Sequence, residues 1–176
     1  GPILAAVDTV FARLIGKGGH GSMPHSALDP TPVACEVVQA IQTMVTRRFD
    51  VFDPVVATVG RIQSGTTSNV IPEFAEMEIT LRSLSVEARA RLAEAVEKLV
   101  REIPAAHGLE VNFDIEKGYP PTVNHQSGAQ AVARAAKAVL GEDQYMEMAT
   151  PWMGAEDFSY LLERFPGAFV FLGAAP

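Results

Sequence analysis

The side chain best placed to do chemistry lies in Gly16-Lys17-Gly18-Gly19-His20-Gly21-Ser22-Met23-Pro24-His25, directly after a strand-like run. Glycine allows sharp turns and leaves a neighbouring ring open to a ligand. In such a loop a neutral imidazole at His20 can donate a hydrogen bond to a developing oxyanion. The alternative is a turn histidine with no role. His25 is either a residue that orients His20 or a plain loop residue. The two histidines alone do not make a zinc site, because two ligands leave a tetrahedral ion unfilled.

Two further stretches hold candidate residues. In Gly65-Thr66-Thr67-Ser68-Asn69-Val70-Ile71-Pro72, a loop of small residues delivers Asn69 just before a strand. An Asn there either satisfies its own turn or faces a ligand. Arg82 ends the polar face of that strand, and is either solvated or a bidentate partner for a carboxylate. In Met153-Gly154-Ala155-Glu156-Asp157-Phe158, two adjacent acids open a short helix. They serve the helix dipole, or belong to a loop whose N–H groups meet an anionic group. His107 and His125 read as surface residues, and Cys35 falls on the polar side of its helix.

The elements that must position these residues are legible from periodicity. Thr9 to Ile15 alternates as a strand. Asp29 precedes Pro30, Thr31 and Pro32, a helix entry, and apolar residues then recur at helical spacing to about Arg48. Val55 to Gln63 is a second strand and Glu73 to Ser83 a third. In the third, Ala75, Met77, Ile79 and Leu81 share one face, which implies a sheet covered on one side. Ser85 caps a second helix that Pro104 and Gly108 close. Leu109 to Glu116 is the fourth strand. The order β-α-β-β-α-β defines an α+β ferredoxin-like sandwich over residues 8–117.

Beyond Gly118-Tyr119-Pro120-Pro121 the style changes. Ser127 to Leu140 is an alanine-rich helix, Glu142 to Met148 a short strand, and Glu156 to Arg164 a short helix. Ala168-Phe169-Val170-Phe171-Leu172 is an apolar run that suits a strand buried on both faces. Residues 118–176 therefore read as the end of an incomplete α/β domain. An apolar strand left uncovered invites association, so an oligomer or a bound complementary fragment is expected.

The chain has 176 residues, 48% of them apolar, which is enough for a core. With 14 basic and 21 acidic residues, its net charge of −7 leaves no excess to neutralise phosphates. No nucleic-acid partner is expected. No apolar run approaches the ~20 residues of a membrane helix, so no membrane partner is expected either. A single cysteine and no signal peptide favour a reducing, cytoplasmic setting. The start at Gly1-Pro2 is a cloning scar or the cut end of a longer chain.

Taken in order, Gly1 to Asp8, Gly16 to Gly21 with Pro24-His25, Asp29-Pro30, Ser68 to Pro72, Arg82 and Gly154 to Phe158 resemble the M20 family of metal-dependent amidohydrolases. The likeness is to the branch of hippurate hydrolases, N-acyl-amino-acid amidohydrolases and auxin-conjugate hydrolases. The resemblance covers essentially the whole chain; the order and spacing of the motifs, rather than any one of them, make it specific.

It implies a catalytic domain carrying two divalent metal ions (zinc, manganese or cobalt) and an inserted ferredoxin-like lid that also forms a homodimer. Residues 1–7 are then the end of a catalytic-domain segment, 8–117 the lid, and 118–176 the C-terminal part of the catalytic domain. By resemblance, His20 is the lid histidine that stabilises the tetrahedral oxyanion, often in the partner subunit's site. Asn69 and Arg82 hold the amide and carboxylate of an acyl-amino-acid substrate. Gly154, Ala155, Glu156 and Asp157 line its pocket. The implied reaction is amide hydrolysis by a metal-bridging water with a glutamate as general base. The family's metal ligands and glutamate have no counterpart here, so this chain alone is expected to bind no catalytic metal and to be inactive. The alternatives are a non-catalytic dimerisation or ligand-binding module, and a related dipeptidase or aminopeptidase.

Overall fold

A computed structural model describes residues 1–174. In chain order the elements are β1 (Pro2–Leu4), β2 (Ala6–Ile15), β3 (Gly19–His20), α1 (Pro30–Arg48), β4 (Val55–Ser64), β5 (Val70–Ile71), β6 (Phe74–Ser83), α2 (Val86–Ala106), β7 (Glu110–Lys117), β8 (Thr122–Val123), α3 (Gln126–Leu140) and α4 (Ser159–Leu162). A 3-10 turn at Pro24–Ser26 follows β3, and another at Glu142–Gln144 follows α3.

Four long strands form one antiparallel sheet in the order β4-β6-β2-β7. That is the ferredoxin-like order, with α1 and α2 on one face. The period-2 pattern explains it. Ala75, Met77, Ile79 and Leu81 of β6 are buried, as are Val10, Ala12 and Leu14 of β2. They pack against Val37 and Ile41 of α1 and Leu92, Val96 and Val100 of α2. The other face is polar. There Arg61 reaches Glu78 at 2.7 Å and Glu76 at 3.5 Å, and Arg13 stacks over the Phe74 ring at 3.8 Å.

Both helices start where a side chain captures a free N–H. Asp29 accepts from the Thr31 N–H at 2.9 Å, and Ser85 from that of Ala88 at 3.0 Å. α2 ends where Pro104 and Gly108 close it: it runs to Ala106 with Pro104 buried in its last turn, and the chain then turns through Gly108 at a φ of +76°.

The sheet begins two residues before residue 8: Ala6 already pairs with Ser83. Preceding it, β1 pairs with β8, and Leu4 forms a parallel bridge with Trp152. Residues 1–5 are thus tied to the C-terminal segment.

Three expectations for that segment are corrected. Glu142 to Met148 is a 3-10 turn and irregular chain, with Met146 well exposed; among the described residues no strand pairs with it. Ala168 to Leu172 is not a strand and is not buried on both faces; Leu172 is 81% exposed. A side chain takes the place of a strand neighbour: Asn124 donates Nδ2–H to the Phe169 carbonyl and accepts the Phe169 N–H, each at 2.8 Å. The helix expected over Glu156 to Arg164 is the single turn α4.

Candidate functional site

The His20 loop is held by backbone pairing rather than by left-handed glycines. Gly65, Gly108 and Gly141 have positive φ; Gly16, Gly18, Gly19 and Gly21 do not. The glycines of the loop are needed because other backbone comes too close. A Cβ on Gly16 would sit 2.1 Å from the Leu28 carbonyl oxygen. One on Gly18 would lie 3.0 Å from the Ile71 oxygen, and one on Gly21 3.1 Å from the Asn69 oxygen.

The contact at Gly16 goes with the bridge between Lys17 and Leu28; those at Gly18 and Gly21 belong to a two-stranded ribbon. β3 pairs antiparallel with β5, with Gly19 opposite Ile71 and His20 opposite Val70. The Gly21 N–H donates to the Asn69 carbonyl at 2.8 Å. The ribbon sets His20 beside Asn69 on an exposed corner. Asn69 Oδ1 accepts from the Thr67 hydroxyl at 3.3 Å, and among the described residues its amide NH2 has no hydrogen-bond acceptor.

The His20 ring is fixed by Ser22. Nδ1 accepts the Ser22 N–H at 3.2 Å and lies 2.8 Å from Ser22 Oγ. Among the described residues no hydrogen bond joins His20 to His25, which sits exposed in the 3-10 turn. The orienting place considered for His25 is filled by Ser22. Sequence reasoning passed over Ser22, though a serine two residues past a loop histidine is a ready source of such a local bond.

A second corner lies at the other end of the sheet. Arg82 is half-buried on the outer face, its Nε donating to the Thr80 hydroxyl at 3.2 Å. Its Nη1 reaches the Met153 carbonyl at 3.5 Å, the outer limit of a hydrogen bond. Arg82 therefore reaches Met153, the residue just before Gly154 to Asp157. That loop is anchored on β1, because the Ala5 N–H donates to the carbonyls of Gly154 at 2.8 Å and Trp152 at 3.1 Å. Glu156 serves its own turn. Its carboxylate accepts the Asp157 N–H at 3.2 Å, and its carbonyl accepts the Ser159 hydroxyl at 2.7 Å.

The two corners do not meet within one chain. Arg82 pairs with Val7 at the start of β2, whereas Phe74 pairs with Ile15 at its end, and the ribbon lies beyond that. Eight residue steps along a strand separate them, on the order of 25 Å. Asn69 shares a corner with His20, and Arg82 shares one with Gly154 to Asp157.

No group of three or more His, Cys, Asp or Glu side chains gathers into a metal-holding arrangement among the described residues. The residues present thus do not fit a dinuclear centre. Among the same residues no helix is long and apolar enough to cross a membrane.

Comparison with known proteins places these features. The M20 peptidase dimerisation domain matches residues 9–108, which hold the His20 loop, the ribbon and the sandwich up to the end of α2. Thermostable carboxypeptidase 1 of Saccharolobus solfataricus is 36% identical over 175 residues, 98% of this chain and 43% of that protein. N-acetyl-L-cysteine deacetylase of Bacillus subtilis is 37% identical over 174 residues, 98% of this chain and 41% of that protein. A solved Bacillus subtilis structure, described as a dinuclear metal binding peptidase from the M20 family, superposes with a TM-score of 0.71 at 30% identity. The match covers 95% of this chain and 40% of that one. The chain spans less than half the length of these relatives. With a dimerisation-domain match over more than half its length and relatives more than a third identical across nearly all of it, the chain belongs to the M20 peptidase family.

Proposed function

We propose that this chain supplies the lid and part of the substrate pocket of a metal-dependent amidohydrolase that cleaves N-acyl amino acids or similar small amides. In this reading residues 8–117 are the lid, and residues 1–7 with 118–176 belong to a second domain. The pairing of β1 with β8 and of Leu4 with Trp152 supports that division. His20 donates to the oxyanion, Asn69 holds the amide, and Arg82 with Gly154 to Asp157 receives the carboxylate end. The zinc, manganese or cobalt ions that such hydrolysis uses are held by sequence outside these 176 residues. The exposed lone Cys35 fits a reducing, cytoplasmic setting.

One observation carries the proposal: the His20–Asn69 corner and the Arg82–Gly154 corner are both built, but stand on the order of 25 Å apart along the strands. A single small substrate cannot touch both in one chain. A homodimer through the lid resolves this, with His20 and Asn69 of one copy completing the site at Arg82 of the other.

The test is His20→Ala in the longer protein that contains this chain. Removing one oxyanion donor should lower kcat about 10²–10³-fold with metal content unchanged. Undiminished turnover would show the assignment to be wrong. A peptidase reading has one observation in its favour, the relative named a carboxypeptidase. Turnover of acyl-amino acids against dipeptides separates the two.

A further inference from the structure

We propose that Ser22 is a positioning residue that fixes the tautomer and the direction of the His20 ring, so that Nε2 carries the proton and faces the reacting group. The inference rests on the reading of His20 as an oxyanion donor and adds the group that makes it one.

Two atoms of Ser22 converge on one ring nitrogen. The backbone N–H can only donate, and it points at Nδ1 from 3.2 Å. A proton on Nδ1 would face that N–H hydrogen head-on, so in the neutral ring Nδ1 is the acceptor. The hydroxyl, 2.8 Å from the same nitrogen, must then donate as well. A neutral imidazole has one N–H, and with Nδ1 accepting, that proton is on Nε2. Among the described residues Nε2 has no hydrogen-bond partner, and His20 is exposed at the ribbon corner. An oxyanion needs a donor already aimed at it, because reorienting a ring during the reaction forfeits the advantage.

The backbone holds this arrangement without help from a packed core. His20 is pinned by its pairing with Val70, and the Met23 N–H donates to the His20 carbonyl at 2.9 Å. The turn that follows His20 therefore brings Ser22 back over the ring. A residue without a hydroxyl at position 22 keeps the weaker N–H contact and loses the shorter bond. The His20 backbone is then still held, but its ring is free to rotate about its side-chain bonds.

The experiment reads the ring nitrogens directly. In the 176-residue chain with 15N-labelled histidine, neutral His20 should show a non-protonated, hydrogen-bonded Nδ1 and a protonated Nε2. Ser22→Ala should move the Nδ1 signal toward that of a free acceptor nitrogen and bring in the second tautomer. Ser22→Thr, which keeps a hydroxyl, should retain the original pattern. A proton on Nδ1 in the unaltered chain, or an unchanged His20 spectrum in Ser22→Ala, would overturn the proposal. In the longer protein Ser22→Ala should lower kcat about 3–10-fold, the worth of one hydrogen bond, with little change in KM. The spectra do not depend on turnover. If His20→Ala left activity intact while the spectra behaved as stated, the catalytic reading would fall and the Ser22–His20 bond would stand.

Discussion

Arg89 grips Asp8 with two donors. Nε lies 2.9 Å from Oδ2 and Nη2 2.6 Å from Oδ1, with Asp8 almost wholly buried. The same Nη2 donates to the Gly118 carbonyl at 3.0 Å, and the Gly118 N–H donates to Asp8 Oδ1 at 3.2 Å. One ion pair thus joins the start of β2, the first turn of α2 and the residue at which the chain leaves the sandwich. A planar fork meeting a carboxylate in this way is geometry that lysine cannot reproduce.

Arg89→Met should therefore destabilise the fold by about 3–5 kcal/mol, because it strands a buried carboxylate. Urea denaturation measures it. Replacing both residues, Asp8→Leu with Arg89→Met, should recover much of the loss. The Asp8 hydrogen bonds raise the guanidinium pKa above its ordinary value; burial opposes the rise, and the charges of Asp8, Tyr160 and Glu163 add to it. A raised cation contributes its stability at every pH below its unfolded value and loses it only on passing through the higher folded one. Stability measured from neutrality to about pH 11 should show no step from this pair, since arginine stays charged throughout.

Mixed dimers test the separation of the two corners. His20→Ala and Arg82→Ala homodimers should each be nearly inactive. In a heterodimer of the longer protein, sites shared between subunits put both lesions into one site and leave the other intact. Random mixing should then restore about a quarter of full activity, half the dimers having one working site each. No recovery on mixing would place the whole site within one subunit.

The loop glycines differ in what a methyl group would meet. Gly16→Ala drives a Cβ into the Leu28 carbonyl and within 2.7 Å of Leu109 Cδ2. It should cost about 1–3 kcal/mol and loosen the bridge between Lys17 and Leu28. Gly60→Ala meets nothing within 4 Å and has no positive φ, and should stay within about 0.5 kcal/mol of the parent. Thermal melts of the two proteins, run side by side, make the comparison.

Asn124→Ala removes both side-chain bonds that bracket Phe169. The Phe169 amide should lose its hydrogen-exchange protection, while amides of β2 and β6 keep theirs, because the disturbance stays outside the four-stranded sheet. Equal loss in the sheet would mean that the two parts unfold together.

The sandwich was legible because its strands are long and covered on one face. Ala75, Met77, Ile79 and Leu81 alternate with polar residues for a physical reason: the helices lie on their side alone. His20 stood out because a ring among glycines is unusual, although those glycines answer to crowding backbone rather than to turn conformation. The ribbon and the pairing of β1 with β8 left no mark, since two or three residues are too few to carry a period. Ala168 to Leu172 misled because an apolar run reports a wish for burial, whereas a strand also needs a neighbour's hydrogen bonds; Asn124 provides two such bonds at Phe169 and no more. The separation of Asn69 and Arg82 was legible, since one precedes that strand and the other ends it. That His20 joins the Asn69 end was not, because the β3–β5 pairing leaves no period.

The bonds at Gly118 give the sandwich a single doorway. The chain enters at Ala6 and leaves at Gly118, and the Gly118 N–H donates to the Val7 carbonyl at 3.0 Å, so the two crossings stand side by side. A unit whose ends adjoin can be grafted into another chain with only a short turn on either side, leaving a cut no wider than the space between neighbouring strands.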